Sequence, residues 1–225
     1  LQQLEGVIPV LTVRTYEPDV MIESFKNLGK LLDRTNEAEE FINWSVQTRS
    51  MLEGKTGNLS ESEKTTLFYK TSWGSPSELM TFSDDMSYIP TRNKVAGCIN
   101  VAAELPSQGG WVPQIDPEWL TATDFDVLII GDPQLGKYGT GVTDTDELAE
   151  YKNIIMEMPI FESTKAVKEN RVFMLGDVFF GTPRHIVGFA YLAKWCHPDL
   201  FSDFNPKALH QEYIDKFLRV DVDLN

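Results

Sequence analysis

Apolar residues recur at helical spacing in the first quarter of the chain. From Pro18 to Leu32, the residues Val20, Ile22, Phe25, Leu28, Leu31 and Leu32 fall on one side, which predicts an amphipathic helix. Thr35 or Asn36 can cap a second helix, with Glu37, Glu39 and Glu40 near its amino end, where helix-dipole charge favours acids. That helix is expected to run to about Glu53, with Gly54 and Gly57 as stop signals. Ahead of both, Val7-Ile8-Pro9-Val10-Leu11-Thr12-Val13 reads as a short buried strand with Pro near its start.

The texture changes after the Gly/Ser/Asn/Lys/Glu stretch Glu53–Lys64, which is the best boundary in the chain. Short apolar runs then alternate with longer amphipathic ones. Strands are expected at Thr66–Tyr69, Ile99–Val101, Phe125–Asp132 and Arg171–Leu175. Helices are expected at 84–96, 117–123, 145–157, 183–196 and 206–218. Such alternation predicts an α/β layered domain with a mostly parallel sheet over 58–225, preceded by connecting helices over 17–57. No internal repeat or low-complexity tract interrupts it.

Charge narrows the function classes. Twenty Lys and Arg against 34 Asp and Glu leave a formal charge of −14. A field of that sign repels phosphate backbones and anionic lipid, so no nucleic acid partner is expected, and a cationic partner fits better. No run of 18 apolar residues occurs, so no spanning helix is expected. Cys98 and Cys196 are the two cysteines, without a CxxC. Two separate buried thiols are the simpler reading, and a disulfide between them stays open.

Catalytic signatures are missing from the sequence. The three histidines are scattered: His185, His197 before Pro198, which should end a helix, and His210 on an amphipathic, solvated helix face. HExxH, GxSxG, GxGxxG and P-loop patterns are absent. Gly136–Gly141 is glycine-rich without the phosphate-loop order and reads as a loop. Asp144, Asp146 and Glu147 fit a helix start, and Asp84 and Asp85 fit helix capping better than cation binding. No enzyme, metal site or cofactor is expected. Aromatic and cationic residues on expected loops are more suggestive. Trp73 follows a strand, Tyr88 and Arg92 flank Pro90, Trp111 follows Gly109-Gly110, and Phe179-Phe180 lead into Thr182-Pro183-Arg184. Strand ends of open α/β sheets bind ligands, and aromatic walls with a few polar groups hold bulky organic ones. An arginine there can pair with a carboxylate or an anionic metal chelate. For Trp73, Trp111 and Arg184, packing is about as good an account. Trp44, Trp119 and Trp195 are expected in the core.

Five segments, in order, resemble the rigid-cleft substrate-binding proteins that serve ABC importers of ferric siderophores, haem and cobalamin. Val7-Ile8-Pro9-Val10 followed by Leu28-Gly29-Lys30-Leu31-Leu32 resembles a first lobe's last strand entering the connector. Ala96-Gly97-Cys98-Ile99-Asn100-Val101-Ala102 is similar to "AGGxNVA", with Cys98 in place of the second glycine. Pro117-Glu118-Trp119-Leu120 ahead of Asp126–Ile130 is similar to "PEWL…PDVIIV". Met158-Pro159 through Val172 resembles "RPGWxxIxAVKNGRVY". Thr182-Pro183-Arg184 through Phe201 resembles "GPRxxxGxxYLAKWFHPDLF".

The resemblance implies two α/β lobes joined by a long helix. On that basis 1–16 would be the last strand of an otherwise missing first lobe, 17–57 the connector, and 58–225 the Rossmann-like carboxy-terminal lobe. It implies an extracytoplasmic protein, membrane-anchored at full length and expected to be monomeric. Its ligand would be an iron-siderophore, haem or corrinoid, delivered to an ABC importer permease. The matching positions make Trp111 and Arg184 expected ligand-binding residues and Glu118 the expected permease-docking acid; Trp73, Tyr88, Arg92 and Phe180 join the expected ligand-binding set as aromatic and cationic residues on expected loops. Phe82–Pro90 replaces the family's "YGKGSF". A metallocofactor-related α/β enzyme and a surface scaffold that retains the fold are the competing readings.

Overall fold

In the computed structural model, the structure describes residues 13–15, 17–71, 75–131, 145–176 and 182–224. The expected amino-terminal strand falls almost wholly outside them, as does the glycine-rich run 136–141. Helices α1 (Met21–Leu31) and α2 (Thr35–Thr56) pack side by side. Phe25 meets Phe41 with ring centroids 4.5 Å apart. Helix α2 spans about 33 Å at 1.5 Å per residue. It passes through Gly54 and ends against Gly57, three residues beyond the expected end.

The sheet follows. Strand β1 (Thr65–Lys70) is succeeded by the two-residue β2 (Thr81–Phe82), helix α3 (Ile89–Ala96) and strand β3 (Cys98–Asn100). Next come β4 (Trp111–Val112), α4 (Pro117–Ala122) and β5 (Val127–Ile130). Then α5 (Asp146–Met156), α6 (Pro159–Glu162), α7 (Lys165–Lys168) and β6 (Val172–Met174). Helices α8 (His185–Cys196) and α9 (Pro206–Tyr213) follow, the latter running into a wide π-turn at Ile214–Leu218. The main sheet is parallel, in the order β3-β1-β5-β6, while β2 and β4 pair antiparallel beside it.

Side-chain alternation along β1 builds two cores, because successive residues of a strand face opposite sides. Leu67 and Tyr69 join Val127 and Ile129 beneath α2, α3 and α8. Phe68 joins Leu128, Ile130 and Val172 on the other side, where Phe125 and Phe161 lie 5.3 and 6.2 Å from its ring. Trp44 is buried as expected and packs 5.3 Å from Phe217, so α2 docks on the chain's carboxyl-terminal segment. Trp195 is partly buried and stacks on Phe173 at 4.6 Å. His210 departs from the solvated reading: it is half-buried, edge-on to Tyr191.

Candidate functional site

The strand order locates a topological switch point. Strand β3 lies on one side of β1, and β5 and β6 lie on the other, so the connections leaving the carboxyl ends of β1 and β5 diverge. Ligands of open α/β sheets bind at such switch points. Lys70 closes β1 there. It is 1% exposed, its ammonium lies 5.9 Å from the Tyr151 ring centroid, and its carbonyl accepts from the Gly131 N–H at 3.0 Å.

An aromatic wall stands beside this edge. The Thr71 N–H donates to the Met80 carbonyl at 3.0 Å, which brings the segment ending in β2 alongside the end of β1. Register pairs Phe82 with Trp111, and their rings meet at 4.7 Å and 60°. Phe82 in turn lies 6.4 Å from Tyr69. The turn before Trp111 depends on glycine. Gly109 and Gly110 have φ of +61° and +88°, and a Cβ on Gly110 would lie 2.4 Å from Met86 N and Cβ. The Gly110 carbonyl accepts from Ser83 N–H at 2.9 Å, so the turn is clamped to the residue after β2.

Arg92 sits behind the wall, not on it. The expected helix over 84–96 begins only at Ile89, because Pro90 occupies its first turn, where a missing N–H costs nothing. Helix α3 then carries Arg92 inward to 1% exposure. Its guanidinium carbon lies 4.5 Å from the Tyr69 ring centroid and 5.8 Å from that of Tyr88. A desolvated cation over an aromatic face contributes about 2 kcal/mol. Burial pushes the Tyr69 and Tyr88 hydroxyls up from the usual phenol value, with the Arg92 charge opposing it. Tyr69 also donates to Asn93 Oδ1 at 2.5 Å. The expectation that Arg92 touches ligand therefore gives way to a buried cation that fixes two tyrosines.

The other expected residues divide. Tyr88 is half-buried at the amino end of α3, and Trp111 is half-buried on β4, a strand where a loop was expected. Arg184 is half-buried in the turn that opens α8. Trp73 and Phe180 lie outside the described residues. Asp84 and Asp85 do not cap α3. Asp84 accepts from Asn100 Nδ2 at 3.2 Å, and Asp85 accepts from Ser107 Oγ at 2.6 Å, so both brace the 100–110 loop. Burial raises the Asp84 carboxyl above the usual range, partly offset by the Asn100 hydrogen bond and the Arg92 charge. Sequence reasoning missed Tyr69 and Phe82, which support the wall. The alternation that puts Tyr69 on the Leu67 face was a signal for the first. Phe82 had none, because a two-residue strand has no period.

Glu118 is exposed in the first turn of α4, and its own N–H is capped by Asp116 Oδ1 at 2.8 Å. Beside it a surface groove of about 430 Å3 is lined by Glu78, Leu79, Pro113, Ile115 and Pro117. A larger apolar cleft, about 470 Å3, lies between Phe25, Phe41, Tyr213 and Phe217, with Pro183 also lining it. Among the described residues no group of three or more His, Cys, Asp or Glu could hold a metal ion, and no helix is long and apolar enough to cross a membrane.

The model of one family, described as periplasmic binding protein, matches residues 1–178. Among curated proteins no sequence matches. Solved structures are similar in fold. The TroA-like periplasmic binding protein FepB from Veillonella parvula superposes with a TM-score of 0.81 at 19% identity, over 96% of this chain and 63% of that one. An ABC transporter solute binding protein from Sulfurospirillum deleyianum gives 0.78 at 16% identity, over 99% and 65%. The Haemophilus influenzae molybdate periplasmic binding protein MolA, bound to molybdate, gives 0.68 at 17%, over 97% and 62%. The chain thus spans less than two-thirds of the length of these three.

Proposed function

Because this chain belongs to the periplasmic binding protein family, we propose that it is part of an extracytoplasmic substrate-binding protein that delivers a bulky metal chelate to an ABC importer. The observation that carries the reading is the wall at the carboxyl edge of a doubly wound sheet, where Trp111 stands against Phe82 and Tyr88 lies over buried Arg92. Aromatic faces of that size suit a planar or macrocyclic organic ligand, such as an iron-siderophore, haem or corrinoid. Tyr88 and Trp111 form the apolar contact, and Arg184 offers a cation to an anionic chelate. Trp73 and Phe180, outside the described residues, are further candidates only as aromatics on expected loops.

MolA binds molybdate, a small oxyanion, on a similar fold, so a compact anion is the competing ligand class. The two differ in what they demand of the wall. A chelate needs the rings of Tyr88 and Trp111, and an oxyanion needs only donors. Titration of a full-length protein with a ferric siderophore, haemin, cobalamin and molybdate, read by tryptophan fluorescence and calorimetry, separates them. The expected result is saturable binding of one chelate, weakened at least tenfold by Trp111→Ala. Binding of molybdate alone, or of none of the four, would sink the ligand class.

Glu118 is the proposed docking acid. Its exposure and its place on a strongly acidic chain suit an arginine-bearing permease surface. Glu118→Arg should abolish stimulation of transporter ATPase activity while leaving ligand affinity unchanged. Unaltered stimulation would count against the role.

A further inference from the structure

We propose that Cys98 and Cys196 are a disulfide-forming pair that covalently joins the start of β3 to the end of α8. The two are far apart in sequence, yet the fold makes them neighbours in one buried cluster, with Cys98 Sγ 3.6 Å from the Asn93 carbonyl. Backbone ties flank the pair on both sides. His197 Nε2 lies 2.7 Å from the Gly97 carbonyl, joining the residues next to each cysteine. Thr65 pairs with Cys98 in the sheet and donates its hydroxyl to the Cys196 carbonyl at 2.7 Å. Arg171 Nη2 holds the same carbonyl at 3.1 Å. Gly97, at φ +70°, lets the chain pass close to His197, since a Cβ there would lie 3.0 Å from His197 Nε2. Both cysteines are buried, at 5% and 3% exposure. The bond would form if the two side chains turn toward each other within this shared setting.

The reaction is ordinary thiol–disulfide exchange with a small-molecule or enzyme disulfide as oxidant. One cysteine thiolate attacks that disulfide and expels a thiolate, leaving a mixed disulfide on the protein. The second cysteine thiolate attacks the protein-side sulfur and expels the other half. Two protons leave the cysteines and end on the two released thiols, so the cysteine pair is oxidised and the external disulfide reduced. Burial pushes the Cys98 thiol up, and contact with Cys196 adds to it, so few thiolates form in the folded state. Closure therefore belongs to the folding chain, before the core seals. The staple closes a loop of about 100 residues, a length at which the loss of unfolded-state entropy is large. The inference uses the extracytoplasmic placement proposed above only for the presence of an oxidant; its test involves neither ligand nor permease.

The test is to refold the full chain from denaturant with oxidised and reduced glutathione, then alkylate under denaturing conditions and measure intact mass. The expected product has lost both thiols together and yields one peptide pair linking Cys98 to Cys196. Its unfolding midpoint falls by about 10 °C on reduction. Cys98→Ala and Cys196→Ala each retain one alkylatable thiol and show a midpoint indifferent to reductant. Two free thiols per chain, or stable glutathione adducts in place of the internal bond, would overturn the proposal. Should refolding aggregate, the same thiol count on chain exported to a bacterial periplasm decides between the two.

Discussion

Gly109 and Gly110 offer a paired test of how Trp111 is held. Both have positive φ, but their surroundings differ. A Cβ on Gly109 meets nothing within 4 Å, whereas one on Gly110 meets Met86 N and Cβ at 2.4 Å and Met86 Cα at 2.5 Å. Gly109→Ala therefore faces only the left-handed backbone penalty, about 1–2 kcal/mol, offset by about 0.4–1 kcal/mol from a stiffer unfolded chain. The net loss should be about 1 kcal/mol. Gly110→Ala adds forced overlap with backbone atoms, which costs a further 1–3 kcal/mol or so. Its expected loss is about 3 kcal/mol, and trimming the Met86 side chain should not rescue it, because Met86 N and Cα remain in place. Urea denaturation followed by far-ultraviolet circular dichroism measures both. Near-ultraviolet dichroism should also report loss of the Phe82–Trp111 contact in Gly110→Ala only. Equal losses in the two variants, or a Gly110→Ala within 0.5 kcal/mol of wild type, would refute the close approach of this turn to Met86.

His185 is buried beside Phe189, and burial lowers its pKa to about 4, against a smaller raising effect from the Thr182 carbonyl. The unfolded chain takes up the proton first, so stability should fall as pH drops from about 6.5 to 4, by up to about 3 kcal/mol. His185→Asn, which keeps a donor for Thr182, should flatten that slope in pH-dependent urea melts. Asp126 accepts from Thr66 N–H and Oγ1, each at 2.9 Å, and from Lys165 Nζ at 2.6 Å. Burial raises its pKa, but the Lys165 and Thr66 hydrogen bonds together outweigh it and leave the carboxyl below its usual value. That contribution is present above the unfolded pKa of about 3.9 and is lost as pH falls through the lower folded value. Asp126→Asn should cost about 1 kcal/mol at pH 7 and remove the steepest part of the acid limb, as read by thermal melts. Leu52, fully buried on α2, should cost about 2–5 kcal/mol on truncation to Ala in chemical denaturation.

The parts of the fold that were legible in the sequence carry a long period or a dense apolar run. Strand β1 alternates Leu67 and Tyr69 against Phe68 and Lys70, and β5 is wholly buried, so both stood out. Helix α2 outran its expected end because Gly54 faces open space and costs only about 1 kcal/mol of propensity. Thr56 then ties the last turn to Leu52 O at 3.1 Å and Val95 O at 2.9 Å, a tertiary gain that no local pattern records. Strands β2 and β4 are two residues each, below the length at which alternation can be read. Of the candidate site, Tyr88 and Trp111 stood out as residue types, and the structure leaves both half-buried, at the head of α3 and on β4. Arg92 was misplaced, since a charged side chain near a proline reads as exposed until the rings around it are known.

That misplacement changes what the wall can do. An exposed arginine beside Tyr88 would bind an anionic chelate directly, and its charge would be screened by water. A buried one, 4.5 Å from Tyr69 and 5.8 Å from Tyr88, acts on the rings instead. Tyr69 is further held by its bond to Asn93, and Phe82 connects it to Trp111. The sheet, α3 and the β2–β4 pair are thereby locked into one packed unit. Rigid, preformed aromatic surface lowers the ordering cost of association, so affinity for a bulky ligand depends more on shape match than on induced closure. On this reading, the electrostatic share of recognition falls to cations nearer the surface, such as the half-buried Arg184 at the head of α8.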